Sequence, residues 1–229
     1  ESWKNLDIVK VLKSGQGFVL MANLILSSFQ KRMGADVGVK PGEEMKAAIA
    51  VAEELNIPAV MVDRPIQMTL KRAWAKNSLW GKCKLLAVLL SSAFERSEIS
   101  AEEIEKLKNE SEMDSMMKEI AEYLPAVKAV LIDERDRYLA SHIWEAQVNG
   151  APAKKTVAVL GAGHLPGVVR YLEDLAAGTA SSDTTDISQL PPAGIGGKVL
   201  GLVFPILIIG LIVAGFFTGG ARASFDMLV

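Results

Sequence analysis

Lys155-Thr156-Val157-Ala158-Val159-Leu160-Gly161-Ala162-Gly163-His164 is the stretch on which the reading of this chain turns. A short apolar run without alternation is the pattern of a strand covered on both faces, as in a parallel sheet. Two glycines end the run and place an imidazole at the start of a helix expected over residues 165–175. In open α/β sheets ligands gather at the carboxyl ends of strands. The glycines let backbone approach a ligand closely, and a helix N-terminus favours negative charge. A histidine in that place can bind a metal or act as acid or base. It can equally well do no more than cap the helix. Gly161, Gly163 and Gly167 also spell a loose dinucleotide fingerprint. That reading is set aside, because the motif closes the domain and no strand with a terminal acidic residue follows it.

Working outward, Ala59-Val60-Met61-Val62 is a second buried-type run, ended by Asp63-Arg64-Pro65. Taken alone, Asp63 and Arg64 are ordinary turn residues, but they occupy the end of a strand, where a second element of a site would lie. Helices are expected over 17–31, 43–55, 69–94, 100–117 and 126–147. Pro41-Gly42 opens the second of these, with Glu43 and Glu44 in its first turn, where the helix dipole accounts for them cheaply. The order of elements predicts an α/β fold: a partial parallel sheet with many helices. Two strands make a poor sheet and the chain begins at Glu1 rather than Met, so further strands are expected upstream of this sequence.

Residues 1–176 are expected to form the globular domain. Residues 177–198, rich in Ala, Gly, Ser, Thr and Pro, read as a flexible linker. Val199–Thr218 then runs for 20 residues without a charge, about 30 Å as a helix, the thickness of a bilayer core. It predicts a C-terminal transmembrane helix followed by a short tail over 219–229, and a protein held at the membrane.

Half of the residues are hydrophobic and the net charge is -2. That balance gives no nucleic-acid footprint. Cys83 is the single cysteine, which excludes an internal disulfide and any multi-thiolate metal site. It suits a reducing compartment and a cytoplasmic globular domain. Only His142 and His164 supply imidazoles.

On the helix carrying Ile132-Asp133-Glu134-Arg135-Asp136-Arg137-Tyr138-Leu139, the residues Ile132, Leu139 and Ile143 share an apolar face. Asp136 falls inside that stripe and Arg135 on its edge. Charges aimed at a core are costly unless paired or functional. These two are therefore site candidates, with a buried structural pair as the alternative. Glu134 and Arg137 point the other way and read as a solvated face. His142 reads as a packed helix residue.

Pro41-Gly42-Glu43-Glu44-Met45-Lys46-Ala47-Ala48, Val62-Asp63-Arg64-Pro65, Glu134-Arg135-Asp136-Arg137-Tyr138-Leu139-Ala140 and Leu160-Gly161-Ala162-Gly163-His164 occur in this order. As an ordered set they resemble the TraB/PrgY family of pheromone-shutdown proteins and their archaeal and eukaryotic relatives, over essentially the whole globular part. That family is grouped with the Tiki proteases and erythromycin-esterase-like proteins, thought to be metal-dependent hydrolases with two Gly-x-x-His motifs. The resemblance implies that Gly161 and His164 are the second such motif, with His164 a ligand of a divalent metal ion. It implies Glu44 as a ligand or base and Arg135 as a stabiliser of the oxyanion. The first Gly-x-x-His motif and the acidic segment after it do not occur in this sequence, so only part of a site is expected.

The resulting expectation is a membrane-anchored, metal-dependent hydrolase or peptidase acting on peptides or membrane-proximal proteins. The alternatives are a non-catalytic module that sequesters a peptide or protein, and an adaptor docking through the charged helix near 100–117.

Overall fold

The computed structural model of the chain describes residues 18, 19, 22, 23, 25, 27, 42–94, 110–150 and 153–191. The chain divides into two units, residues 1–20 with 192–229 and residues 21–191. Every element labelled below belongs to the second unit. Positions 18, 19, 22, 23, 25 and 27 are helical, within the helix expected over 17–31.

Helix α1 spans Glu43–Glu54. Gly42 stands at its N-cap with φ +84°, a conformation open to glycine at little cost. Helix α2 is Ile66–Lys76 and α3 is Leu79–Phe94. The sequence predicts these as one helix, and Asn77 and Ser78 divide it. Asn77 Nδ2 donates to the Ala73 carbonyl at 2.7 Å and Ser78 Oγ accepts the Gly81 amide at 3.1 Å. Such side-chain bonds compete with helix continuation and favour an end and a new start. Helix α4 is Glu110–Tyr123. Pro125 opens the short helix α5, Pro125–Lys128, which runs through a π turn at Ala129–Asp133 into α6, Glu134–Asn149. A 3₁₀ turn, Ala162–His164, leads into α7, Leu165–Ala176, with Pro166 in the first turn. A single helical turn, α8, spans Thr185–Ser188.

Helices α6 and α7 form the main pairing of the unit, and α2 lies against α5 and the π turn. Leu139, Ala140 and Val168 are the buried centre of the first pairing. Val62, Ile143, Leu160, Tyr171 and Leu172 pack round them. Along α7 the spacing Val168, Leu172, Leu175 is the helical stripe that faces a core.

The expected α/β class is corrected by this structure. The described residues are helical and contain no strand. Ala59–Val62 and Lys155–Leu160 have no regular secondary structure, and neither joins a ladder. Their last residues, Val62 and Leu160, pack on the α6–α7 centre. The residues before them face outward: Val60 is 65% exposed, Met61 75% and Val157 78%. Apolar composition marks a run that suits burial. It does not supply the neighbouring strand whose hydrogen bonds make a sheet.

The expected transmembrane helix is corrected as well. No helix among the described residues is long and apolar enough to cross a membrane. Residues 199–218, the basis of that expectation, lie outside the described residues. A C-terminal membrane tether is therefore no part of the described fold. Of the stretch read as a linker, residues 177–191 are described. Gly178 has φ +71°, the backbone turns, and Ile187 is buried in α8. Residues 192–198 lie outside the described set.

Candidate functional site

Two segments meet residue by residue. Asp63-Arg64 leads from the apolar run Ala59–Val62 into α2, and Glu134-Arg135-Asp136 is the first turn of α6. Arg64 Nη1 donates to Glu134 Oε2 at 2.8 Å. One position along on each side, Arg135 donates to Asp63 through Nη2 at 2.6 Å and Nε at 3.3 Å. Asp136 continues the series to a third element: its Oδ1 lies 2.6 Å from His164 Nδ1. At about 100° per residue, three consecutive helical positions face three directions, so one turn serves three partners.

The sequence places Glu134 on a solvated face, and the structure corrects this. Glu134 is 8% exposed. Its Oε2 accepts from Arg64 Nη1 and Arg72 Nε, both at 2.8 Å. Its Oε1 accepts from Arg72 Nη2 at 2.9 Å and Lys76 Nζ at 2.7 Å. Arg72 thus grips the carboxylate with two prongs, the strong form of such a pair. Burial pushes the Glu134 carboxyl up. The hydrogen bonds from Arg72, Arg64 and Lys76 outweigh burial and hold the pKa at about 2.

Arg64 and Arg72 are themselves buried, and their remaining contacts go mainly to backbone. Arg64 reaches the Val130 carbonyl at 3.0 Å, the Ile187 carbonyl at 2.9 Å and Thr69 Oγ1 at 3.0 Å. Arg72 Nη1 reaches the Gln189 carbonyl. Arg137, also assigned to a solvated face, pairs with Asp186 at 2.8–2.9 Å and reaches the Asp183 carbonyl. Three arginines therefore hold the segment around α8.

His164 and Asp136 are both largely buried, with side chains 12% and 11% exposed. In the tautomer that carries its proton on Nδ1, His164 donates to Asp136 Oδ1 and the lone pair lies on Nε2. His164 stands at the N-cap of α7, and its amide donates to the Gly161 carbonyl at 2.9 Å. A methyl group on Gly161 would meet His164 Cδ2 at 3.8 Å, an ordinary contact. Gly163 lies inside the 3₁₀ turn. Gly167 is the demanding position: a Cβ there would fall 1.9 Å from Asp136 Oδ2. The missing side chain makes room for the Asp136 carboxylate against α7.

The expected residues thus separate. Asp63, Arg64, Arg135, Asp136, Gly161 and His164 belong to one connected region. Glu44 is exposed on α1, whose residues are none of them buried. His142 bonds through Nδ1 to the Tyr138 carbonyl at 2.9 Å and stacks on the Tyr138 ring at 3.9 Å. Cys83 is exposed. The sequence reading misses Glu134, Arg72, Lys76 and Gly167. Of these, Gly167 carries a signal, as the third glycine of the discounted fingerprint. No group of three His, Cys, Asp or Glu side chains that would hold a metal ion exists among the described residues. His164 offers a single donor, and Asp136 is engaged in supporting it. These residues alone do not make a metal centre.

A helical unit thus holds a half-buried imidazole against a carboxylate at the end of a Gly-x-x-His turn. The chain belongs to the TraB/PrgY/gumN family, whose sequence pattern matches residues 1–180. It is 38% identical over 173 residues to an uncharacterized protein of Methanocaldococcus jannaschii, covering 75% of this chain and 42% of that protein. It is 28% identical over 216 residues to a TraB domain-containing protein of Bos taurus and 26% over 218 residues to one of Homo sapiens. Each of these covers 89% of this chain and 55% of the relative. The chain thus spans about half the length of these relatives. No solved structure matches it.

Proposed function

We propose that this chain contributes the Asp136–His164 pair to a hydrolytic centre acting on peptides or proteins. The observation that supports the reading is the 2.6 Å contact between Asp136 Oδ1 and His164 Nδ1. A carboxylate there fixes the tautomer and the ring orientation, so that Nε2 carries the lone pair. In this reading Nε2 takes a proton from water, the hydroxide adds to the scissile carbonyl carbon, and the proton then passes to the leaving amine. Arg135 stands nearby, tied to Asp63, as the cation for the developing oxyanion. The family resemblance adds a divalent metal as an expectation. The described residues provide one imidazole toward it, and none of these steps runs through it.

The test is product formation from a defined peptide mixture, read by mass spectrometry. The wild-type protein is expected to yield new termini and His164→Ala to lose them. Equal product from both would overturn the proposal.

A second reading has its own support. Val60, Met61 and Val157 present apolar surface on irregular segments that lead into Asp63 and His164, and uncovered apolar surface marks sites of interaction. Capture of a peptide without cleavage would favour a binding module over a hydrolase.

A further inference from the structure

Glu134 has no place in the hydrolytic steps above, yet it is the most heavily bonded carboxylate among the described residues. It lies two residues from Asp136, at the junction between the π turn and α6. A π turn closes its hydrogen bonds one residue later than an α turn. It therefore resets which way the following residues face. What locks the rotation after such a turn has to hold both the turn and the first residue of the new helix. Arg64 does both: Nη2 takes the Val130 carbonyl inside the π turn at 3.0 Å, and Nη1 takes Glu134 at 2.8 Å. Arg72 then fixes the Glu134 carboxylate from α2 with two bonds, and Lys76 adds a fourth.

Given the helical step, fixing Glu134 toward Arg64 and Arg72 decides where the next two residues point. Arg135 is turned to Asp63, and Asp136 to His164. Asp136 has little freedom to adjust for an error. Its Oδ2 sits 1.9 Å from where a Gly167 Cβ would be, so it is wedged against α7. A rotation of the first turn of α6 would withdraw the carboxylate from Nδ1.

We propose that Glu134 is a positioning residue: held by Arg64, Arg72 and Lys76, it sets the rotation of α6 and so keeps Asp136 against His164 Nδ1. The proposal rests on the hydrolytic reading for its purpose, since it is Nε2 of His164 that the arrangement presents.

The experiment reads the His164 ring directly, by nitrogen NMR of the 15N-histidine-labelled full chain at neutral pH. The wild-type ring is expected to be almost entirely the Nδ1–H tautomer, and Asp136→Asn defines the spectrum of the lost contact. Glu134→Gln and Glu134→Asp are expected to melt cooperatively and to show the mixed tautomers of Asp136→Asn. A general loss of stability does not by itself alter the tautomer of a folded protein. If either variant folds and keeps the wild-type tautomer, the proposal is overturned. If neither folds, Glu134 serves the core alone and the proposal is likewise overturned. Peptide cleavage is measured beside it. If the wild type itself cleaves nothing, the hydrolytic reading fails, while the tautomer comparison still decides the role of Glu134.

Discussion

Acid should unfold this domain partly through one carboxyl group. In the folded protein Glu134 has a pKa of about 2 against an ordinary value of 4.5. The folded state thus binds its proton less tightly than the unfolded chain does. Between those pH values the unfolded state carries more protons, so stability falls as pH falls. The contribution is fully present above about pH 4.5 and is lost as pH drops toward 2. At about 1.36 kcal/mol per pKa unit, the difference amounts to roughly 3 kcal/mol. That figure is a ceiling, because Lys76 is 42% exposed and water screens its share; ~2 kcal/mol is the expected loss. Other carboxyls titrate in the same range, so the assay compares wild type with Glu134→Gln by urea unfolding followed by circular dichroism, from pH 7 down to pH 2. At pH 7 the variant leaves Arg64 and Arg72 buried without a counter-charge, which costs about 3–5 kcal/mol. A stabilising osmolyte keeps it measurable. As pH falls, the gap between the two proteins should narrow by ~2 kcal/mol, because a protonated Glu134 and a glutamine are alike in charge. A gap that stays constant from pH 7 to pH 2 would refute the reasoning.

Gly167→Ala should force the Asp136 carboxylate off α7, since the new methyl overlaps Oδ2. A destabilisation of about 1–3 kcal/mol by thermal melting is expected, with loss of the Nδ1–H signature of His164. Asp136→Asn should leave the fold in place and lower peptide cleavage about 10–100-fold, measured as initial rate. Met61→Lys should change stability by less than about 0.5 kcal/mol, because Met61 is 75% exposed; in a peptide-capture assay it should weaken binding if the exposed apolar run is a docking surface.

Much of the helical framework is legible in the sequence, because periodicity and punctuation are local. Gly42 and Gly161-Ala162-Gly163-His164 stand at the starts of α1 and α7 where expected. The apolar stripe of α6 faces the core, where Leu139 and Ala140 are buried and Ile143 packs beside them. The sheet is not legible in the same sense. Val60, Met61 and Val157 have the composition of buried strands, but pairing is a property of two segments. The structure keeps those residues at the surface. The break between α2 and α3 escapes the sequence for the opposite reason. Asn77 and Ser78 are weak signals until their side chains are seen bonded to Ala73 and Gly81.

The site divides along the same line. Arg135 and Asp136 stand out in the sequence because a charge near an apolar stripe needs a partner, and each has one, Asp63 and His164. That rule fails for Glu134, because a helical wheel treats the face opposite the apolar stripe as open to solvent. Glu134 does point away from Leu139 and Ile143, but Arg64, Arg72 and Lys76 cover that face of α6 as well. The arginines that receive it are hard to read because Arg64 looks like part of a turn and Arg72 like a surface residue of α2. Only the fold brings Arg64 and Arg72, 70 and 62 residues away from Glu134 along the chain, to the same carboxylate. The family motifs Asp63-Arg64 and Glu134-Arg135-Asp136 thus acquire a physical meaning as two halves of one charge-alternating contact. Changes at any two of these residues should then be non-additive by about 0.5–3 kcal/mol in a double-mutant cycle, as residues of one network are.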